Sequence, residues 1–97
     1  MSVFILLIRK GKKIMKEIIK KQNEIEDLIN ELQNQLQDAA DALAFYEEQE
    51  KYGEPVRQII DFFNGQIDDL YDQISKAQQE YWSLEKDLDF AELELFL

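Results

Sequence analysis

Apolar residues recur in steps of four and three through the second half of this chain. We call the series the C-terminal stripe, and its members are Val56, Ile60, Phe63, Ile67, Leu70, Ile74, Ala77, Tyr81, Leu84, Leu88, Ala91 and Leu95. None of them is charged. This spacing keeps one face of a helix toward a partner helix, as in coiled coils. It predicts one helix over residues 56–96, and because the register is kept across Asn64-Gly65, that pair is not expected to interrupt it.

Residues 14–52 carry a second periodic series, which we call the N-terminal stripe. With Met15 at heptad position a, positions a and d hold Met15, Ile18, Gln22, Ile25, Ile29, Leu32, Leu36, Ala39, Leu43 and Tyr46. Gln22 is the polar exception. Because neither glycine nor proline falls in this segment, the pattern predicts an uninterrupted helix over residues 14–52.

The segment Tyr52-Gly53-Glu54-Pro55 separates the two series. Glycine can take the left-handed conformation that ends a helix, and proline suits the first turn of the next one. We therefore predict a turn at residues 53–55, within a helical hairpin over residues 14–97. Two helices joined so closely run antiparallel, which places Leu36 opposite Leu70 and Leu32 opposite Ile74.

Apolar residues also lie beside both stripes. These flanking residues are Ile14, Ile19, Leu28, Ala40, Ala42, Ile59 and Tyr71. Two helices alone cannot cover so wide an apolar face. The expected fold is therefore an all-α, coiled-coil-like hairpin that pairs with a second copy in a homodimeric four-helix bundle. The alternative is that the extra apolar surface binds another protein.

Two residue types that carry much enzyme chemistry are missing, since the chain has no cysteine and no histidine. That removes thiolate ligands, the commonest zinc ligand and the usual general base. The acidic clusters do not follow the spacing of a calcium-binding loop, and no glycine-rich phosphate loop is present. We therefore expect no catalytic residue, no cofactor, no metal site and no enzymatic activity.

The charge is distributed unevenly along the chain, whose net charge is −10. Residues 1–21 hold seven basic residues and one acid, whereas residues 22–97 hold four basic residues and 20 acids. The acidic part should repel nucleic acid and attract a basic protein. The expected partner-binding acids are Asp61, Asp68, Asp69, Asp72, Glu85 and Asp89. One hypothesis is an inhibitor that imitates nucleic acid and blocks a basic nucleic-acid-handling protein, as phage anti-defence or anti-CRISPR proteins do.

Large apolar residues outside the stripes support another hypothesis. They are Phe62, Trp82, Phe90 and Leu93, and Leu97 extends the series that begins at Trp82. Tryptophan and phenylalanine are enriched in the centres of protein interfaces. These residues are expected to bind a partner or a second copy, and the protein would then be a scaffold or adaptor.

The segment Tyr81-Trp82-Ser83-Leu84-Glu85 contains tyrosine followed four positions later by an acid. In this motif, in length and in the predicted hairpin, the chain resembles the secreted WXG100-type proteins. The resemblance implies a secreted helical hairpin that binds other proteins. The Trp-x-Gly that the family carries at its turn is not present at Tyr52-Gly53-Glu54.

Residues 1–13 form an apolar and then basic arm, MSVFILLIRKGKK. Its apolar run is much shorter than the roughly 20 residues of a membrane span, and its basic residues follow that run rather than precede it as in a signal peptide. We therefore expect a cytoplasmic protein without a membrane partner. Phe4 and Ile8 continue the heptad, so the arm is either a helix extension or a cap on the acidic C-terminal end. A third alternative is that Met15 is the native start.

Overall fold

The structure is a computed structural model that describes the backbone of residues 3–96 and the side chains of residues 11–93. Over this backbone the chain forms two α-helices and no strand: α1 is Val3–Lys51 and α2 is Arg57–Phe96. The predicted all-α hairpin is confirmed, whereas its pairing into a four-helix bundle stays a prediction. Helix α1 includes most of the arm, but the predicted contacts of Phe4, Ile8 and Leu97 lie outside the described side chains.

The end of α1 is a glycine cap. Gly53 has a φ angle of 88°, in the left-handed region. Its N–H donates to the carbonyl of Glu50 at 3.0 Å, and the N–H of Glu54 donates to the carbonyl of Gln49 at 3.2 Å. These two bonds form a Schellman motif, which satisfies carbonyls that the helix end would otherwise leave without donors.

The start of α2 lies slightly later than the sequence pattern predicts. The N–H of Ile60 donates to the carbonyl of Val56 at 3.0 Å, so Val56 is the N-cap and Arg57 is the first helical residue. Pro55 precedes the cap instead of opening the helix. The N–H of Val56 donates to the carbonyl of Glu54 at 2.9 Å, which makes Pro55 the centre of a three-residue turn. The fixed φ angle of proline suits that position.

The contacts within the chain divide it into two compact units. We call Leu28–Lys76 the turn unit, because it contains the connection between the helices. Met1–Asp27 together with Ala77–Leu97 form the terminal unit. Each unit contains part of α1 and part of α2.

The core of the turn unit is a cluster of stripe residues from both helices. Its buried members are Leu32, Ala39, Leu70 and Ile74, against which Leu36, Phe63 and Ile67 pack. The cluster contains both residues of each predicted pair, Leu32 with Ile74 and Leu36 with Leu70. Ile60 is buried more deeply still, at 1% exposure. Helix α2 continues through Asn64-Gly65, as predicted, with both residues exposed.

The described part of the terminal unit has fewer buried residues than the turn unit. They are Gln22, Ile25 and Ala77, all members of the two stripes. The remaining stripe residues of this part are half-buried, namely Met15, Ile18, Tyr81, Leu84, Leu88 and Ala91. The heptad spacing therefore identifies the inner face of this unit correctly.

Candidate interaction surfaces

The predicted acidic residues belong to two different units. Four of them are in the turn unit, namely Asp61, Asp68, Asp69 and Asp72, and the other two, Glu85 and Asp89, are in the terminal unit. All six are exposed, so each is open to a partner. The turn unit therefore contains the larger group, within three turns of α2.

Two of these carboxylates are engaged by neighbouring cations. The guanidinium of Arg57 lies 3.4 Å from Asp61 and 3.5 Å from Glu50, and the amine of Lys76 lies 2.9 Å from Asp72. Exposed pairs of this kind add little to stability, about 0–1 kcal/mol. Asp68 and Asp69 form no ion pair with another residue whose side chain the structure describes.

The turn unit accounts for most of the net negative charge of the chain, although the two units contain similar numbers of acidic residues. Residues 28–76 contain 11 acidic and three basic residues, a net charge of −8. The terminal unit contains ten acidic and eight basic residues, a net charge of −2. Two of the three cations in the turn unit, Arg57 and Lys76, form the ion pairs with acids of the same unit.

The predicted apolar contact residues are likewise divided. Phe62 is in the turn unit, whereas Trp82, Phe90 and Leu93 are in the terminal unit. All four are well exposed, at 66%, 57%, 67% and 60% respectively. On a helix with 100° per residue, Trp82 and Leu93 point in nearly the same direction and Phe90 lies about 60–80° away. These three residues therefore share one outward face of α2.

A row of four aromatic rings crosses from α1 to α2 in the turn unit. Tyr46 and Phe63 stack at the centre, with ring centroids 5.9 Å apart and planes inclined by 17°. Phe45 meets Tyr46 edge to face at 5.2 Å, and Phe62 meets Phe63 in the same way at 5.4 Å. The two inner rings belong to the stripes and are half-buried. The two outer rings are exposed, and the sequence pattern did not single out Phe45.

A shallow open groove of about 290 Å³ lies beside this row. Helix α1 contributes Gln35, Asp38 and Ala39 to its lining, and α2 contributes Phe63 and Gln66. The groove thus runs between the two helices of the turn unit. Phe63 belongs both to its lining and to the aromatic row, so the two features are continuous.

Gln22 of the terminal unit is a buried polar side chain. Gln22 is 7% exposed, and its amide nitrogen has no hydrogen-bond partner among the described residues. A buried donor without a partner costs about 1–3 kcal/mol. Because of this cost, stability alone does not explain why a glutamine occupies this core position.

The hydroxyl of Tyr81 joins the two helices within the terminal unit. It donates a hydrogen bond of 3.0 Å to the Oε1 atom of Glu26. This bond, partial burial and the negative charges of Glu26 and Glu85 raise the pKa of Tyr81 above its usual value of 10.0. In the motif that resembles WXG100-type proteins, the tyrosine is therefore engaged within the chain, whereas Glu85 is exposed.

We expect Tyr81 to ionise at a higher pH than an unperturbed tyrosine side chain. The folded state keeps its proton above pH 10, where the unfolded state loses it, so stability should decrease as the pH rises through the pKa of the folded state. An ultraviolet titration of the native chain minus that of Tyr81→Phe isolates this ionisation. Glu26→Gln should move the difference curve to lower pH. A difference curve centred at or below pH 10 would contradict the assignment.

Neither a metal centre nor a membrane span is found in the described part of the chain. Among its acidic side chains, no group of three has a geometry that could hold a metal ion. Neither α1 nor α2, over the residues described, contains an apolar window sufficient to cross a membrane.

Comparison of the chain with protein-family models, with curated proteins and with solved structures finds no match.

Proposed function

We propose that this chain is a non-enzymatic binding protein whose acidic turn unit binds a basic, nucleic-acid-handling protein and keeps nucleic acid from it. The observation that carries the proposal is the net charge of −8 on residues 28–76, with two of the three cations paired to acids of the same unit. Such a surface offers carboxylates where a basic groove would accept phosphates. Inhibition of a host defence system by a phage protein, in the cytoplasm, is the setting that we favour.

The test is capture of partners by the immobilised chain at low salt, followed by affinity measurements on the captured protein. We expect the affinity to fall at least about tenfold between 50 and 300 mM salt, because the screening length of exposed charges shortens from roughly 14 Å to roughly 6 Å over this range. Double-stranded DNA or RNA should displace the chain from its partner. Affinity that is insensitive to salt, or a partner that binds nucleic acid and the chain together, would refute the proposal.

Charge-neutralised variants locate the binding surface. A variant with Asp61, Asp68, Asp69 and Asp72 replaced by asparagine should bind the partner at least tenfold more weakly at low salt. The matched control neutralises Glu85, Asp87, Asp89 and Glu92 of the terminal unit, and it should change affinity less. An equal loss in both variants would mean that net charge matters and that the turn unit has no special role.

A second candidate function is favoured by the exposed face of Trp82, Phe90 and Leu93 in the terminal unit. This face suits a scaffold or adaptor that binds through apolar contact, and a secreted hairpin of the WXG100 kind belongs to the same class. Replacing Trp82 and Phe90 together by alanine distinguishes the candidates in the same assay. A scaffold would lose its partner, whereas an inhibitor that works through the turn unit would keep it.

A further inference from the structure

We propose that the groove of the turn unit is the docking site for a basic amphipathic helix of the protein partner. This inference rests on the proposed function and specifies the partner element that is recognised. We call the surface the groove face and define it by Asp38, Phe45, Ile59, Phe62 and Gln66.

The groove face is one continuous side of the turn unit. Asp38 and Phe45 are seven residues apart on α1, so they point in nearly the same direction, about 10 Å apart along the helix. The same spacing relates Ile59 and Gln66 on α2. Because Asp38 and Gln66 line one groove, both helices turn these positions to the same side. Phe45 and Phe62 lie on that side as the outer ends of the aromatic row.

The apolar and pre-ordered part of the groove face is the aromatic row together with Ile59. Phe45 is 58% exposed and Phe62 is 66% exposed, and Ile59 beside them is 40% exposed. Tyr46 and Phe63 stack on each other, and each contacts one outer ring edge to face. Rings already held by their neighbours lose little freedom when a ligand covers them, which favours binding.

Acidic side chains lie in the groove and beside it. Asp38 lines the groove itself, Asp41 follows it by one turn of α1, and Asp69 follows Gln66 by one turn of α2. The nearest cation along α2, Arg57, is held by Glu50 and Asp61. An apolar row with acidic side chains beside it is complementary to a helix that carries an apolar stripe flanked by lysine or arginine.

Charge also argues against the turn unit of a second copy as the occupant. Two turn units, each with a net charge of −8, would repel one another across such a contact. A basic segment of a partner instead gains from the field of the unit, which also raises its rate of association.

The experiment measures binding of the full chain to a synthetic leucine–lysine peptide of about 18 residues, designed as an amphipathic helix. A scrambled peptide of identical composition, without the apolar stripe, is the control for charge. We expect the amphipathic peptide to bind at least about tenfold more tightly than the scrambled one. Phe62→Ala and Phe45→Ala should each weaken it by about tenfold, the scale of an interface hot spot.

Matched control variants come from the opposite side of the same unit. Tyr71 is 60% exposed and lies nine residues after Phe62, half a turn around α2, so Tyr71→Ala should leave peptide affinity unchanged. Glu47 is exposed and lies nine residues after Asp38, half a turn around α1, so Asp38→Asn should weaken binding more than Glu47→Gln does. Circular dichroism checks that each variant keeps the helical content of the native chain.

Three outcomes would overturn the inference. Equal affinity for both peptides would mean that charge attraction needs no groove, and the proposed inhibitor function would survive. Equal losses in Phe62→Ala and Tyr71→Ala would place the peptide elsewhere. If sedimentation showed that Phe45→Ala and Phe62→Ala dissociate a dimer, the occupant would be a second copy. The salt and displacement assays test the proposed function separately from these peptide measurements.

Discussion

Replacing Leu70 by alanine is expected to lower the free energy of unfolding by about 2–5 kcal/mol. Leu70 is 3% exposed and lies in the buried cluster of the turn unit with Leu32, Ala39 and Ile74. The substitution removes buried carbon atoms and leaves a cavity that the surrounding side chains fill only in part. Because small domains have about 5–15 kcal/mol of stability in total, this loss is large.

Urea denaturation followed by circular dichroism measures the effect. Leu93→Ala is the matched control, because Leu93 is 60% exposed on the same helix and its truncation should change stability by less than about 0.5 kcal/mol. Ile74→Val removes a single methylene from the same core and should cost about 0.5–1.5 kcal/mol, which keeps the test measurable if Leu70→Ala does not fold. Equal costs for Leu70→Ala and Leu93→Ala would contradict the assigned core.

The hairpin was predictable because two independent sequence patterns agree on it. The heptad series defines the inner face of each helix, and every buried residue described belongs to one of the two stripes, including polar Gln22. Gly53 marks the end of α1 because the left-handed φ angle there is costly for other residues. The prediction for Pro55 was less accurate, because the preference of proline for a first helical turn does not exclude a tight turn just before the cap.

The aromatic row and the groove could not be predicted from either helix alone. Phe45 lies outside the N-terminal stripe, where an isolated phenylalanine is common on protein surfaces. It gains meaning only when the antiparallel pairing brings Tyr46 against Phe63 and leaves Phe45 and Phe62 at the two ends of one row. The register of the two stripes does predict which residues of α1 face which residues of α2. The aromatic row could therefore have been found only by comparing residues in pairs across the two helices.

The bond between Tyr81 and Glu26 shows a similar limit. The predicted register places Tyr81 near Ile25, so Glu26 was within reach, yet the heptad pattern ranks residues by hydrophobicity and ignores such a donor.

The division of charge between the two units was also not visible in the sequence. A count of net charge along the chain separates residues 1–21 from residues 77–97, although these segments fold into one unit. The basic segment of residues 1–21 belongs with the acidic end of α2 in one unit, which nearly balances it.

Replacing Gln22 by leucine is expected to raise the free energy of unfolding by about 1–3 kcal/mol. Leucine fills a similar volume and removes the buried amide nitrogen that has no partner among the described residues. A single polar residue at an a position of a coiled coil is known to select register and oligomeric state at a cost in stability. We therefore expect the gain in stability to be accompanied by a loss of uniqueness, seen as several species in light scattering coupled to gel filtration.

Gln33→Leu provides the control for this prediction, because Gln33 is exposed and the same change there should alter stability by less than about 0.5 kcal/mol. A destabilised Gln22→Leu variant would show that the amide is satisfied in solution, for example by the same residue of a second chain. The predicted homodimer would gain support if the destabilised variant also had a lower mass in light scattering, because the paired amides of two chains would then have been lost. Higher stability with one unchanged species would instead leave Gln22 without a role in specifying the fold.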